Sequence, residues 1–376
     1  MSEKTLDDVK ALNRLADQAE NFALNSIQGL PIVRLGLIAT LYFKRGDTAE
    51  IKSRVTDCFS RFRKEFRCYL SCQLYKKQRK LTASSFAYCR NKILESSPDD
   101  QFVWSIGSAT LQQVAQYRLF VMNTPRSQSS IDRSCLKMVL PWSILLEPDG
   151  ARRYQEWLKY LCNQVRAEHG YGGLACTLPY DGQQYFSQEF LLAKQYIGLI
   201  VDPSPHIESL RLLDHIKGVS WYTVLGSRFV SQLGGNDALR RRLSGRSDIV
   251  FQSYDDGLII RAGQLPSLGG SDGETPAAYV EINKAVKPIR VRATGCLHPY
   301  SILGETFGEA ASIAWHARFD EQPPAPLDAG ETCTHTGYWS SNAKARSRGL
   351  FHTGDIMPTF PHLKGRTQWF WVGAAE

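Results

Sequence analysis

Nowhere in the 376 residues does an apolar run approach the roughly 20 that a membrane-spanning helix needs. A helical span is therefore excluded. No H-E-x-x-H, P-loop or G-x-G-x-x-G fingerprint is present, which removes the metal, phosphate-cradling and dinucleotide chemistries tied to those spacings. The Leu-Gly-Gly triplets at 233–235 and 268–270 do not have phosphate-loop spacing. The nine cysteines, at 58, 68, 72, 89, 135, 162, 176, 296 and 333, are odd in number and follow no framework. That fits reduced thiols in a reducing compartment. Cys68 and Cys72 stand four apart with Cys89 nearby, but no histidine pair follows at zinc-finger spacing. The N-terminal stretch MSEKTLDDVKALNRLADQAENFAL is acidic and amphipathic, without a signal region or a small-residue cleavage site, so a cytoplasmic location is expected.

What is present is a soluble, globular balance, with 43% apolar and 22% charged residues. The length suits one large domain or two ordinary ones. The formal charge of +8 is uneven: Lys44 to Lys92 holds 14 Lys and Arg against 4 Asp and Glu, leaving the remainder close to neutral. A basic face suits nucleic acid, an acidic membrane surface or an acidic protein, or is only a solvated helix exterior.

The least free stretch is HIKGVSWYTVLGSRFVSQLGG, His215 to Gly235. Trp221, Val224, Leu225 and Phe229 allow a helical stripe, while Trp221–Leu225 is rich in strand-preferring residues, so periodicity leaves both open. Gly234–Gly235 closes it as a turn. Upstream, 5–25 reads as a peripheral helix and 33–43 as a strand buried in part on both faces. After the turn KRGD, Asp47 or Thr48 caps a helix whose buried face is Ile51, Val55, Cys58, Phe59, Phe62 and Phe66. Residues 70–100 are basic and carry no clear period; 111–123 reads as a strand and 124–130 as a loop. Pro141 makes 136–147 an edge or bulged strand. A second helix comes after the turn EPDG, with Tyr154, Trp157, Leu158, Leu161, Cys162 and Val165 on one face; Gly170, with Gly172 and Gly173 beyond, is read as its end. Further elements are a short one at 207–217, a strand at 257–263 after an Asp-Asp-Gly turn, a helix at 279–289 stopped by Pro288, and a closing helix from about Glu305. The fold class expected is α+β: mixed sheets flanked by helices. Its two strand–turn–helix units suggest related α/β halves. A small β module is expected at the C-terminal end.

KGVSWYTVLG with LGG, GLIIRAGQLPSLGG at 257–270, YVEINKAVKPIR at 279–290 and YQEWLKYLCNQVRAEHGYGGLA at 154–175, read there as a helix and a Gly-Tyr-Gly-Gly turn, occur in an order that resembles the type VI secretion immunity family, the TsiV-like proteins. The similarity spans roughly 30 to 320. It implies a protein without catalytic residues or cofactor. Such a protein binds and neutralises a cognate antibacterial effector bearing a nuclease domain, by occluding its active site. No membrane partner is implied. The alternative is a nucleic-acid-binding protein using the basic 44–92 region, although no recognised module or stacking platform accompanies it.

Three domain-level segments are expected: 1–320 as the immunity-like domain, 321–331 as a Pro-rich linker, and 332–376 as the β module. In the last, Cys333, Gly337-Tyr338-Trp339, Gly354-Asp355-Ile356-Met357-Pro358 and Trp369-Phe370-Trp371 resemble a small module appended to some toxin-immunity proteins. Cys333, His335, His352 and His362 match no standard metal spacing, and no metal is expected. Ser220 after His215 lacks an orienting third group, so a backbone-satisfied hydroxyl is the simpler reading. The residues backed for partner binding are Arg240, Arg241, Arg242 and Arg246, a dense guanidinium group suited to the carboxylates that line a metal-dependent nuclease site.

Overall fold

The computed structural model describes residues 5–270, 274–291, 295–298, 304–321, 324–341, 347–360 and 367–374. The chain divides into two compact units, 1–319 and 320–376.

The first unit is built on one antiparallel sheet. Its strands are β1 Leu24–Asn25, β2 Pro31–Phe43, β3 Cys72–Tyr75, β4 Lys77–Lys80, β5 Val103–Gly107, β6 Arg118–Met122, β7 Ser134–Pro141, β8 His169–Thr177, β9 Tyr222–Gly226, β10 Ile249–Tyr254 and β11 Gly257–Ala262. They lie in the order β10-β11-β9-β8-β2-β7-β6-β5-β3-β4, with β1 beside β2. The expected mixed sheets are thus one antiparallel sheet; among the described residues, parallel pairing is confined to isolated bridges, Ala175 with Ile200 and Ile216 with Arg290. The helices are α1 Leu6–Ala19, α2 Ala49–Glu65, α3 Ala83–Leu94, α4 Gly150–Val165, α5 Phe186–Gln195, α6 Pro205–Glu208, α7 Ser227–Gln232, α8 Asn236–Arg242, α9 Ala277–Val286 and α10 Glu309–His316.

β2 is the spine. Period-two alternation sends Val33, Leu35, Leu37, Ala39, Leu41 and Phe43 to the main core, and Ile38 and Tyr42 to a second core on the opposite face. α2 and α4 pack together over the main core, each through the apolar stripe read from its sequence. The Thr48 hydroxyl caps α2 by accepting the Ile51 amide at 3.4 Å. Phe59 stacks on Trp104 at 3.9 Å, and Tyr154 on Trp221 at 5.3 Å. The two strand–helix pairs, β2–α2 and β7–α4, are real, but the chain takes a different course after each. Beyond α2 it goes to the far edge of the sheet and works inward; beyond α4 it starts beside β2 and works outward.

Several local readings are corrected. β7 is an interior strand between β2 and β6, because Pro141 stands at its last residue, where no further ladder donor is needed. α4 ends at Val165, with Arg166 left-handed at φ 52°, and Gly170, Gly172 and Gly173 belong to the next strand, β8, not to a turn. A Cβ on Gly170 would lie 2.4 Å from the Thr40 carbonyl oxygen, and one on Gly172 2.1 Å from the Tyr154 hydroxyl, which donates to the Ile38 carbonyl at 2.6 Å. Close approach, not turn geometry, requires these glycines. The central stretch resolves into both of its readings in series, strand β9 and then helix α7. Residues 70–100 form the β3–β4 hairpin and α3, while the strand expected over 111–123 is confined to Arg118–Met122.

The second unit is a four-stranded antiparallel sheet of β12 Leu327–Asp328, β13 Gly337–Ser341, β14 Gly349–Phe351 and β15 Gln368–Ala374, in the order β12-β15-β13-β14. Its core is Leu327, Cys333, Trp339, Met357 and Trp369. β12 lies inside the stretch read as a linker.

Candidate partner-binding surface

Gly234 and Gly235, at φ 89° and 90°, turn the chain sharply between α7 and α8. Leu239 and Leu243 then anchor α8 by burial, which leaves Arg240, Arg241 and Arg242 in solvent. Arg240 reaches β10, the outer strand at this end of the sheet: its guanidinium sits over the Phe251 ring at 4.7 Å. No ion pair holds any of the three among the described residues. Arg246 differs, since its fork is closed on Asp248 at 2.9 and 2.7 Å. The structure therefore separates the four arginines into three available cations and one already neutralised.

The 44–92 charge is more dispersed than its sequence density suggests. The Lys52 ammonium is buried, donating to the Ser96 and Ser97 carbonyls at 2.8 and 3.2 Å. Arg61 covers Trp157 and Tyr160, Arg63 covers Phe86, and Arg79 covers Tyr88. Lys44, Arg54 and Lys92 are paired with Glu168, Glu50 and Glu95. Lys77, Arg79 and Lys80 lie on β4, the other outer strand, where basic side chains discourage edge pairing.

A buried ionic cluster escaped the sequence reading. On the second face of the sheet, Lys217 contacts Glu208 at 2.6 Å and Asp202 at 3.5 Å, and donates to the Val201 carbonyl. Lys137 meets the other oxygen of Asp202 at 3.0 Å. Tyr171 and Thr40 donate to the same carboxylate at 2.6 and 2.7 Å. Burial pushes Asp202 up, but Lys137, Lys217 and those two hydrogen bonds outweigh it and hold it below the usual range. Glu208 is pushed up to about 7 by burial, against the pull of Lys217. Two lysines balance two carboxylates, so the cluster is self-neutralised. The sequence signals for it were Thr40 and Lys137, polar residues on the second face of apolar strands.

Two histidines make this unit acid-sensitive. His169 is stacked on Tyr42 and edge-on to Phe229, and the His316 Nδ1–H donates to the Lys217 carbonyl at 3.0 Å. Burial takes each imidazole down to about 3. The unfolded chain, with rings near the ordinary 6.5, binds more protons between those values, so stability is lost as the pH falls through that window. Glu208 opposes this between 4.5 and about 7, with one proton against two. The denaturation midpoint is expected to fall between about pH 6.5 and pH 4.5, and a flat or rising midpoint contradicts the assignment.

The remaining candidates fall into structural roles. The buried Ser220 hydroxyl donates to the Gly172 and Tyr222 carbonyls, while His215 is exposed. Asp255 and Asp256 form the exposed turn between β10 and β11. One G-x-S-x-G spacing does occur, at 269–273, before α9; Ser271 lies outside the described residues, and no strand leads into it as a nucleophile elbow requires. Cys333 donates to the His335 carbonyl at 3.2 Å, His352 faces Asp355, and His362 lies outside the described residues. Among the described residues no three His, Cys, Asp or Glu side chains gather as a metal site, and no helix is long and apolar enough to cross a membrane.

Comparison with known proteins places this architecture. The model of the family TsiV, described as type VI immunity for VRR-NUC, matches residues 54–319, from α2 to the end of the first unit. A Pseudomonas aeruginosa T6SS protein of solved structure is similar at 25% identity with a TM-score of 0.72, over 84% of this chain and 91% of that one. No curated protein matches. The match carries most of the chain, including the strands from β3 to β11, α4, the Gly-rich strand β8 and the arginine corner: the chain belongs to the TsiV family of type VI immunity proteins.

Proposed function

We propose that this chain protects its host cell by binding a VRR-NUC nuclease effector and occluding the active site, without catalysis of its own. The observation that carries the reading is the family match over 54–319. The surface favoured for contact is the α7–α8 corner, where Arg240, Arg241 and Arg242 are exposed on a helix held rigid by buried leucines. A metal-dependent nuclease site is lined with carboxylates, and guanidinium forks match carboxylates in pairs. A standard interface would bury about 1,600 Å² in total, well beyond this corner, so neighbouring exposed residues such as Val250 would contribute to its apolar centre. The cytoplasm is the compartment in which such protection acts. The 44–92 region is less suited to nucleic acid, because many of its cations are engaged with carbonyls, rings or carboxylates.

The test is co-expression of the neighbouring effector gene with and without this chain. Survival only in its presence is expected, accompanied by a co-purifying complex. Equal killing in both cases removes the reading.

A further inference from the structure

A cavity of about 350 Å³ opens on the second face of the sheet, between β6–β7 and the segments 178–186 and 202–207. Register explains its floor. Arg118 pairs with Val139 and Phe120 with Lys137, so these four side chains share one face, while Leu119 and Val121 point into the main core. The volume lies within the range of small-molecule sites.

Its lining sets Arg118 and Lys137 against Asp202 and Asp181, but they are not all paired. Lys137 is engaged by Asp202 at 3.0 Å. Arg118 has no hydrogen bond or ion pair among the described residues, although it is only partly exposed. Burial disfavours its charge, and the ionisable groups acting on it are the Cys72 thiol and the Tyr180 phenol. Burial pushes both of those up, so neither supplies an anion at neutral pH. His206, also on the wall, is held below its ordinary value by burial and brings no cation. One guanidinium therefore lines the cavity without an ion-pair partner among the described residues. Asp202 and the exposed Asp181 also line it, which disfavours a doubly charged ligand.

We propose that this cavity binds a small monocarboxylic acid. Arg118 takes the carboxylate in its planar fork, and Phe120, Val139 and Pro205 pack the apolar body. The site is independent of the arginine corner and of the immunity reading.

The experiment is titration calorimetry of the intact chain with acetate, hexanoate, benzoate and inorganic phosphate. At least one apolar acid is expected to bind with 1:1 stoichiometry and more tightly than acetate or phosphate. Arg118→Met should weaken that binding about 10- to 100-fold, the usual effect of losing a charge-assisted pair, with Arg118→Lys between the two. Thermal melting reports folding, and Arg118→Met should melt no lower than the parent, since an uncompensated charge is removed. Failure of all three acids to bind, equal affinity of Arg118→Met, or preference for phosphate each overturns the proposal. Retention of the acid in the complex with the effector supports a free ligand. Its release there would assign the pocket to an acidic side chain of the partner and overturn the free-acid assignment.

Discussion

Replacing Lys217 by methionine is expected to cost about 3–5 kcal/mol of folding stability, the range for breaking a buried ion pair by removing one partner. The ammonium is 2% exposed and contacts Glu208 at 2.6 Å. Asp202 keeps Lys137, Tyr171 and Thr40 when Lys217 is lost, whereas no other ion pair holds Glu208 among the described residues. The penalty is therefore that of an orphaned glutamate in a closed interior. Glu208 already titrates near 7 with its partner present, so without it the side chain takes up a proton more readily still. The cost should grow as the pH rises above that value and shrink below it. A second replacement, Glu208→Leu, should recover much of the loss, because an apolar pair of similar volume often substitutes for a buried ion pair. Denaturant unfolding of both variants at two pH values decides it. A loss below about 1 kcal/mol in Lys217→Met, or no recovery in the double variant, would falsify the cluster as a structural keystone.

Reversing the charge of Arg240, Arg241 and Arg242 together, each to glutamate, is expected to slow association with the effector about 10- to 100-fold and to abolish protection in the co-expression assay. All three are exposed on the corner after α7, and steering by complementary charge acts mainly on the on-rate. The fold should hold, since only Arg240 makes a notable internal contact, over Phe251, worth about 0.5–1 kcal/mol at an exposed site. Arg246→Glu is the informative control. Its guanidinium is already committed to Asp248, so the single change should move stability more than association. Association kinetics near 0.15 M salt discriminate, where the screening length is about 8 Å. A triple variant that binds and protects like the parent removes this corner as the contact surface and leaves the basic 44–92 edge as the next to test.

Much of the fold was legible because local periodicity decides which face of an element is buried. The stripes Ile51–Phe66 and Tyr154–Val165 fold as their spacing requires, and so does the strand after the Asp-Asp-Gly turn. The misreadings share one cause. Gly170, Gly172 and Gly173 carry the signature of a turn, yet serve a strand whose neighbours, the Thr40 carbonyl and the Tyr154 hydroxyl, come from distant parts of the chain. Pro141 suggested an edge because a proline cannot donate, and only the sheet order shows that the missing donor falls at a strand end.

The amino-acid sequence by itself determined the α+β class, the stripes, the ordered motifs of the TsiV family and the cluster of arginines after Gly235. Tertiary structure alone decided which charges are spent. Residues 137, 202, 208 and 217 meet only because β7, α6 and the loops between β8 and β9 converge on one face of the sheet. Residues 240–242 are left in solvent, and Arg118 lines a cavity without an ion pair among the described residues. The physical reason is range. Hydrophobic periodicity is a property of a few consecutive residues, whereas the partner of a charge depends on where the whole chain returns.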